Sequence, residues 1–348
     1  MTIRWVLLGP GRHADNRVVP QMKKAADTDL VGVVSRDRAR GEAFAKKHGI
    51  AKVYLSLDEA LGEKAIDAVY DATPDGLHPL HAEQCATAGK HILIEKPLAI
   101  SVPDCERAIA ACRRHGVTLG VVFNQRHEAV HNEARRTVRA GDIGDVLMAY
   151  VQLPLARPAQ PVPPPPPDSW RGNPTMRAGG MISGIADHAF DTLSYIVGQE
   201  IDEVSAFSDA TQAAPPNERA AGVLLKLSGG AIGYATASAR MPSARRPFEI
   251  HGTKGSLVLA NTYGYLVGAD GEPSLEIITA AGRNARHFPE TECFRLEVER
   301  FNRAIAGGGE PMTTGADGLR AQATVMAIYA AIRDGRVQRV GDFLPKTI

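Results

Sequence analysis

The chain has 348 residues, 40 Lys and Arg against 39 Asp and Glu, and a formal net charge of +1. That length sustains about two domains, and the balanced charge supplies no basic surface of the kind a nucleic-acid partner needs. Four cysteines without a Cys-x-x-Cys pair, and no apolar run near the roughly 20 residues of a membrane helix, argue against a disulfide scaffold and a membrane span.

The opening Met1-Thr2-Ile3-Arg4 shows no charged leader with a long apolar core, so secretion is not expected and a cytoplasmic setting is. Ile3 to Leu8 is a short bounded apolar run, predicted as a buried strand, and Arg12 to Ala26 as the helix after it. Leu30 to Val34 is the next strand and Asp37 to Lys47 the next helix, stopped by Gly49. Ala68 to Ala72, His91 to Glu95 and Thr118 to Val122 repeat the apolar-run pattern, with helical stretches at His78 to Ala88 and Val102 to His115 between them. Strands alternating with helices imply βαβ units and a parallel, doubly wound sheet.

The pattern changes after Phe123. His127 to Ala140 reads as a helix closed by Gly141, followed by a stiff proline-rich stretch from Pro154 to Pro174 and a helix around Gly180 to Val197. Alternating segments follow: Gly222 to Leu227, Ala231 to Ala239, Phe248 to His251 and Ser256 to Leu259. Turns at Ser228-Gly229-Gly230 and Thr253-Lys254-Gly255 join them as antiparallel hairpins. Two helices end the chain, one striped by Phe294, Val298, Phe301 and Ile305, the other marked by Leu319, Val325, Ile328, Tyr329 and Ile332. The predicted division is residues 1–123, a doubly wound α/β domain, and residues 124–348, an α+β domain with a mostly antiparallel open sheet.

Chemistry enters at the strand ends. Gly9-Pro10-Gly11-Arg12-His13-Ala14 stands directly between the first strand and the first helix. Gly9 permits a tight turn, Gly11 lets backbone approach a pyrophosphate, and Ala14 allows helix and strand to pack. At the tip of the second strand, Ser35 and Arg36 suit the 2′-phosphate of NADP, with NAD as the alternative cofactor. Asp37 is better placed as the N-cap of the next helix. Lys96 lies at the carboxyl end of a strand, where ligands of open α/β sheets bind, and a lysine beside a nicotinamide ring is suited to proton transfer.

Taken with Thr73-Pro74 and His78, Glu95-Lys96-Pro97, Gly141-Asp142-Ile143-Gly144, Trp170-Arg171, Gly179-Gly180 before His188 and Asp191, and His251-Gly252-Thr253-Lys254-Gly255, these features resemble the glucose–fructose oxidoreductase and inositol dehydrogenase family, Gfo/Idh/MocA, over nearly the whole chain. The resemblance implies a Rossmann domain followed by a substrate domain that often builds oligomers. It also implies hydride transfer between nicotinamide and a hydroxyl or carbonyl carbon of a sugar-like or polyol molecule. Relatives pair the lysine with an Asp and a His four residues later. Here His188 matches, but Gly184 stands at the aspartate position.

The resulting expectation names Lys96 and His188 as catalytic. Gly9, Gly11, Arg12 and His13 sit at the pyrophosphate, and Thr73, Pro74, His78, Glu95 and Lys96 line the cofactor cleft. Asn124 reaches the nicotinamide, and Arg126, Trp170, Arg171, Asp187 and Asp191 face substrate, Asp191 also as an orienting partner of His188. A homodimer or homotetramer is expected, with no membrane or nucleic-acid partner and no metal. Three rival readings stand beside this one: a non-catalytic dinucleotide-sensing protein, a glycosidase with transient nicotinamide redox, and a zinc metalloprotease. The last rests on His127-Glu128-Ala129-Val130-His131, which satisfies His-Glu-x-x-His on a predicted helix but lacks the Gly-containing extension and a downstream Glu ligand.

Overall fold

Short apolar runs bounded by turn residues form a six-stranded parallel sheet in the computed structural model, which describes residues 1–155, 169–210, 217–241, 247–264 and 271–346. Strands β1 (Ile3–Leu8), β2 (Thr28–Val34), β3 (Lys52–Tyr54), β4 (Ala68–Asp71), β5 (His91–Glu95) and β6 (Leu119–Val122) lie in the order β3-β2-β1-β4-β5-β6. That order reverses between β1 and β4, the switch point beyond which ligands of such sheets bind. β4 and β6 are buried at every residue, as strands covered on both faces must be. β3 was not read from the sequence, because three residues give no periodic signal.

The connecting helices are α1 (Val19–Met22), α2 (Arg38–His48), α3 (Leu57–Leu61), α4 (His78–Thr87) and α5 (Val102–His115). As predicted, Asp37 caps α2, its carboxylate accepting from the Arg40 amide at 3.0 Å, and Gly49 closes it at φ 62°. The predicted helix from Arg12 to Ala26 is shorter. Helical backbone stops at Met22, and a wider π-type turn occupies Ala14–Val18.

A nine-stranded sheet forms the second part. Its elements are α6 (Ala129–Arg139), β7 (Val146–Pro154), α7 (Asp187–Val197), β8 (Ile201–Ser208), β9 (Ala220–Leu227), β10 (Ile232–Ser238), β11 (Phe248–Gly252), β12 (Gly255–Ala260), β13 (Ser274–Thr279) and β14 (Gly282–His287), with the short β15 (Gln338–Arg339) at one edge. The order is β14-β13-β12-β11-β7-β10-β9-β8-β15, and β7–β10 is the parallel pair in an otherwise antiparallel sheet. Both predicted hairpins are present, joining β9 to β10 and β11 to β12. The sheet buries one face, where Leu193 of α7 packs on Gly233 of β10. Its other face presents Met148, Leu224, Ile232 and Tyr234, with Tyr234 stacked on Tyr150 at 5.2 Å.

Contacts group the chain into two units. One holds Met1–Asn124, Thr175–Arg177 and Glu292–Arg320, and the other Gln125–Pro174, Ala178–Thr291 and Ala321–Ile348. The break read from the sequence, at 123/124, leaves α8 (Cys293–Ile305) in the second domain. In the structure α8 packs on the first sheet. Phe301 lies 5.5 Å from the Trp5 ring, and Asn302 accepts from Trp5 Nε1 at 3.0 Å while donating to the Ala26 and Asp27 carbonyls. The last helix, α9 (Gly315–Asp334), follows it. Residues 156–168, which hold most of the proline-rich stretch, lie outside the described residues.

Candidate active site

The turn after β1 has the features an approaching diphosphate requires. Gly9 sits at φ +91°, and a Cβ there would fall 3.0 Å from the Ala72 carbonyl oxygen and 3.1 Å from Thr73 Cγ2. Only glycine fits. A Cβ at Gly11 would meet nothing within 4 Å, so this backbone is open to a ligand. The helical segment begins immediately afterwards, with Arg12 exposed beside it. Free N–H groups at a helix start and an open glycine backbone suit a dinucleotide.

At the tip of β2 the two predicted 2′-phosphate contacts differ. Ser35 is 2% exposed, and its hydroxyl donates to the Asp37 carbonyl at 2.7 Å. It therefore shapes the loop, and Arg36 is the exposed cationic group.

Lys96 follows β5 and is half-buried. The preceding Glu95 engages two protein side chains through one carboxylate oxygen. Oε1 accepts from Tyr70 Oη at 2.7 Å and lies 2.9 Å from His13 Nε2. Burial alone would raise the Glu95 pKa, but His13 and Tyr70 bring it below the ordinary carboxylate value. Burial likewise works against the His13 imidazolium, and Glu95 outweighs it, so its pKa is raised. His13 and Glu95, expected as separate cofactor contacts, form one ion pair that ties the glycine turn to the lysine strand.

Thr73 and His78 are also spent on protein partners. Thr73 donates from N and Oγ1 to Asp71 Oδ1 at 2.9 and 2.7 Å, and His81 Nδ1 lies 2.8 Å from Asp71 Oδ2. The Asp71 carboxylate is fully buried. Burial would raise its pKa, and His81 and His78 hold it below normal. The buried His78 ring spans the Thr73 and Pro97 carbonyls, at 3.0 and 2.8 Å. It thereby links the loop carrying Pro74 to the loop after Lys96. Asn124, just past β6, is buried. Tyr70 and Asp71 were not singled out from the sequence as site residues, and His81 was weighed there only as a weak metal partner of His78. Strand-end polar residues beside Thr73-Pro74 were the available signal.

In the second unit, His188 is buried in the first turn of α7, after a π-type turn at Ile182–Ala186. Because π-type bonding runs to the fifth residue, the regular spacing that would align Gly184 with His188 is stretched. Asp187 Oδ1 accepts from the His188 amide at 2.8 Å. Arg126 and Asp191, both expected at the substrate, instead hold each other. Nε donates to both carboxylate oxygens at 3.1 and 3.0 Å, and Nη2 to Oδ1 at 2.6 Å. The exposed Arg171 stacks on the half-buried Trp170 at 4.3 Å.

The His-Glu-x-x-His match does not form the helical pair zinc needs. His127 ends a 3-10 turn, Glu128 precedes α6, and His131 lies inside it. Glu128 Oε1 accepts from the Tyr263 amide at 3.2 Å, and His131 Nδ1 lies 2.9 Å from the Gln125 carbonyl. Burial pushes Glu128 up to about 8 and His131 down to about 4. These are core groups. Among the described residues no three His, Cys, Asp or Glu side chains gather as a metal site would require.

A family model described as "Oxidoreductase family, NAD-binding Rossmann fold" matches residues 3–123, and one described as "GFO/IDH/MocA C-terminal domain" matches residues 131–258. The chain is 29% identical over 339 residues to 1,5-anhydro-D-fructose reductase from Ensifer adhaerens, covering 97% of this chain and 98% of that protein. It is 27% identical over 329 residues to D-xylose 1-dehydrogenase (NADP(+)) 2 from Haloferax volcanii, covering 94% and 97%. The crystal structure of aldose-aldose oxidoreductase from Caulobacter crescentus complexed with glycerol superposes with a TM-score of 0.85 at 25% identity, covering 97% and 100%.

Proposed function

We infer, from a chain that belongs to the GFO/IDH/MocA family of NAD-binding oxidoreductases, that this protein moves a hydride between nicotinamide and a hydroxyl or carbonyl carbon of a sugar-like or polyol molecule. The observation that carries the reading is the coincidence, in one unit, of an open glycine turn at the switch point and Lys96 at the end of β5. Gly9, Gly11 and Arg12 would hold the diphosphate. When bound, the nicotinamide ring supplies the hydride donor or acceptor. Of Lys96 Nζ and the His188 imidazole, one would take the substrate hydroxyl proton in oxidation and return it in reduction, and the other would support it by positioning the hydroxyl. The ion pair of His13 and Glu95 holds the strand end that presents Lys96.

NADP is the favoured cofactor. Arg36 is an exposed cation at the β2 tip, and Oδ1 of the neighbouring Asp37 accepts from the Arg40 amide. Sugar chemistry is supported by the named activities of the relatives above. The apolar face of the nine-stranded sheet supports a homodimer or homotetramer. Four buried cysteines suit a cytoplasmic, reducing setting. No helix among the described residues is long and apolar enough to cross a membrane.

The test is an absorbance screen for reduced nicotinamide using 1,5-anhydro-D-fructose, D-xylose, D-glucose and myo-inositol with both cofactors. Turnover with NADP(H) on at least one of them is expected. No turnover with any, despite dinucleotide binding, would contradict the reading.

A further inference from the structure

The helical segment that carries His188 begins at Gly180, where backbone N–H groups have no intrahelical partner. Two residues distant in sequence satisfy them. Glu218, 2% exposed, accepts from the Met181 amide on its carbonyl at 3.0 Å and from the Ile182 amide on Oε1 at 2.7 Å. Tyr329 of α9 donates its hydroxyl to the same Oε1 at 3.0 Å and accepts from the Gly180 amide at 3.2 Å. The approach is close enough to dictate the sequence. A Cβ at Gly180 would lie 2.2 Å from the Glu218 carbonyl oxygen, and one at Gly179, at φ +158°, 1.9 Å from Tyr329 Oη.

We propose that Glu218 and Tyr329 are positioning residues that set the start of the π-type turn and thereby the placement of the His188 imidazole, a role resting on the proton-transfer function of His188 given above. Three consecutive amides fixed by one carboxylate oxygen, one carbonyl and one hydroxyl leave the turn a single starting geometry. That geometry passes through Ile182–Ala186 to the first turn of α7. The Gly179-Gly180 pair is accounted for by this cap alone. Work at the cap is geometric: Oε1 accepts both side-chain-directed bonds, and a Gln amide oxygen would do the same.

The experiment uses the full chain with Tyr329→Phe, Glu218→Ala and Glu218→Gln. The readouts are the His188 ring titration by histidine-selective NMR, dinucleotide affinity by fluorescence, kcat on the sugar panel, and melting temperature. Tyr329→Phe and Glu218→Ala should shift the His188 midpoint by roughly half a pH unit or more. They should lower kcat by about tenfold or more, with dinucleotide affinity within about twofold of wild type. Glu218→Gln should restore most of both losses relative to Glu218→Ala. A lowered melting temperature with the His188 titration and kcat unmoved would overturn the proposal, as would Glu218→Gln behaving like Glu218→Ala. His188→Asn separates the two ideas. Wild-type turnover in that variant would refute the role of His188, while the NMR shift would still decide the cap.

Discussion

At the residue scale, the charged groups around Lys96 are organised before any ligand arrives. The His13–Glu95 pair is held by opposing shifts: Glu95 is ionised above its lowered pKa and His13 charged below its raised one. Its stabilisation is present between those limits, lost as pH falls through the Glu95 value and lost as it rises through the His13 value. His13→Gln should therefore lower stability more at about pH 6 than at about pH 9, measured by urea midpoints. An equal loss at both would show that the pair acts by packing alone. Arg36→Ala should raise the KM for NADP about tenfold with little change for NAD, consistent with the loss of one charge-assisted contact. The placement of the glycine turn after β1 and of Lys96 after β5 was legible in the sequence because it follows from local strand and turn signals. The engagement of Glu95 by Tyr70, and of Arg126 by Asp191, was not, since each pair joins segments that only the fold brings together.

At the element scale, sequence pattern located the helices that end in glycine and the parallel strands whose apolar runs are continuous. It failed where a signal was short or the bonding irregular. Three-residue β3 has no period to read, and the π-type turns at Ala14–Val18 and Ile182–Ala186 look like regular helix in sequence. The metal-like motif at residues 127–131 failed for the same reason, because a 3-10 turn replaces the helix that would align its histidines. Its Glu128 carries a pH signature. With burial raising its pKa to about 8, the neutral form is favoured by the fold, so its stabilisation is present at low pH and lost as pH rises toward that value. His131, lowered to about 4, opposes this only below its ordinary pKa near 6.5. Between about pH 6.5 and 8, Glu128→Gln should remove a stability loss of up to about 2 kcal/mol, flattening the melting temperature against pH. An unchanged slope would mean that the carboxyl is solvated.

At the scale of the whole molecule, the two units do not follow chain order. Contacts between Trp5 and Phe301 and between Trp5 and Asn302 span nearly the entire sequence, which is why local pattern placed α8 with the wrong neighbours. The open sheet face gives the assembly prediction. Ile232 faces Lys226 across β9 and β10, so Ile232→Glu gains a cross-strand partner and should fold normally. It should nonetheless reduce the mass measured by light scattering to that of a smaller species. Retention of the wild-type mass would move the interface elsewhere.

In the proposed reaction Lys96, at the end of β5 beside an open dinucleotide turn, takes part in the chemistry and is not required to hold the cofactor. Its most direct test is Lys96→Ala, with dinucleotide affinity and turnover measured on the same preparation. Affinity should stay within about threefold of wild type and turnover should fall by about a thousandfold or more. Near-wild-type turnover with the cofactor bound would contradict it.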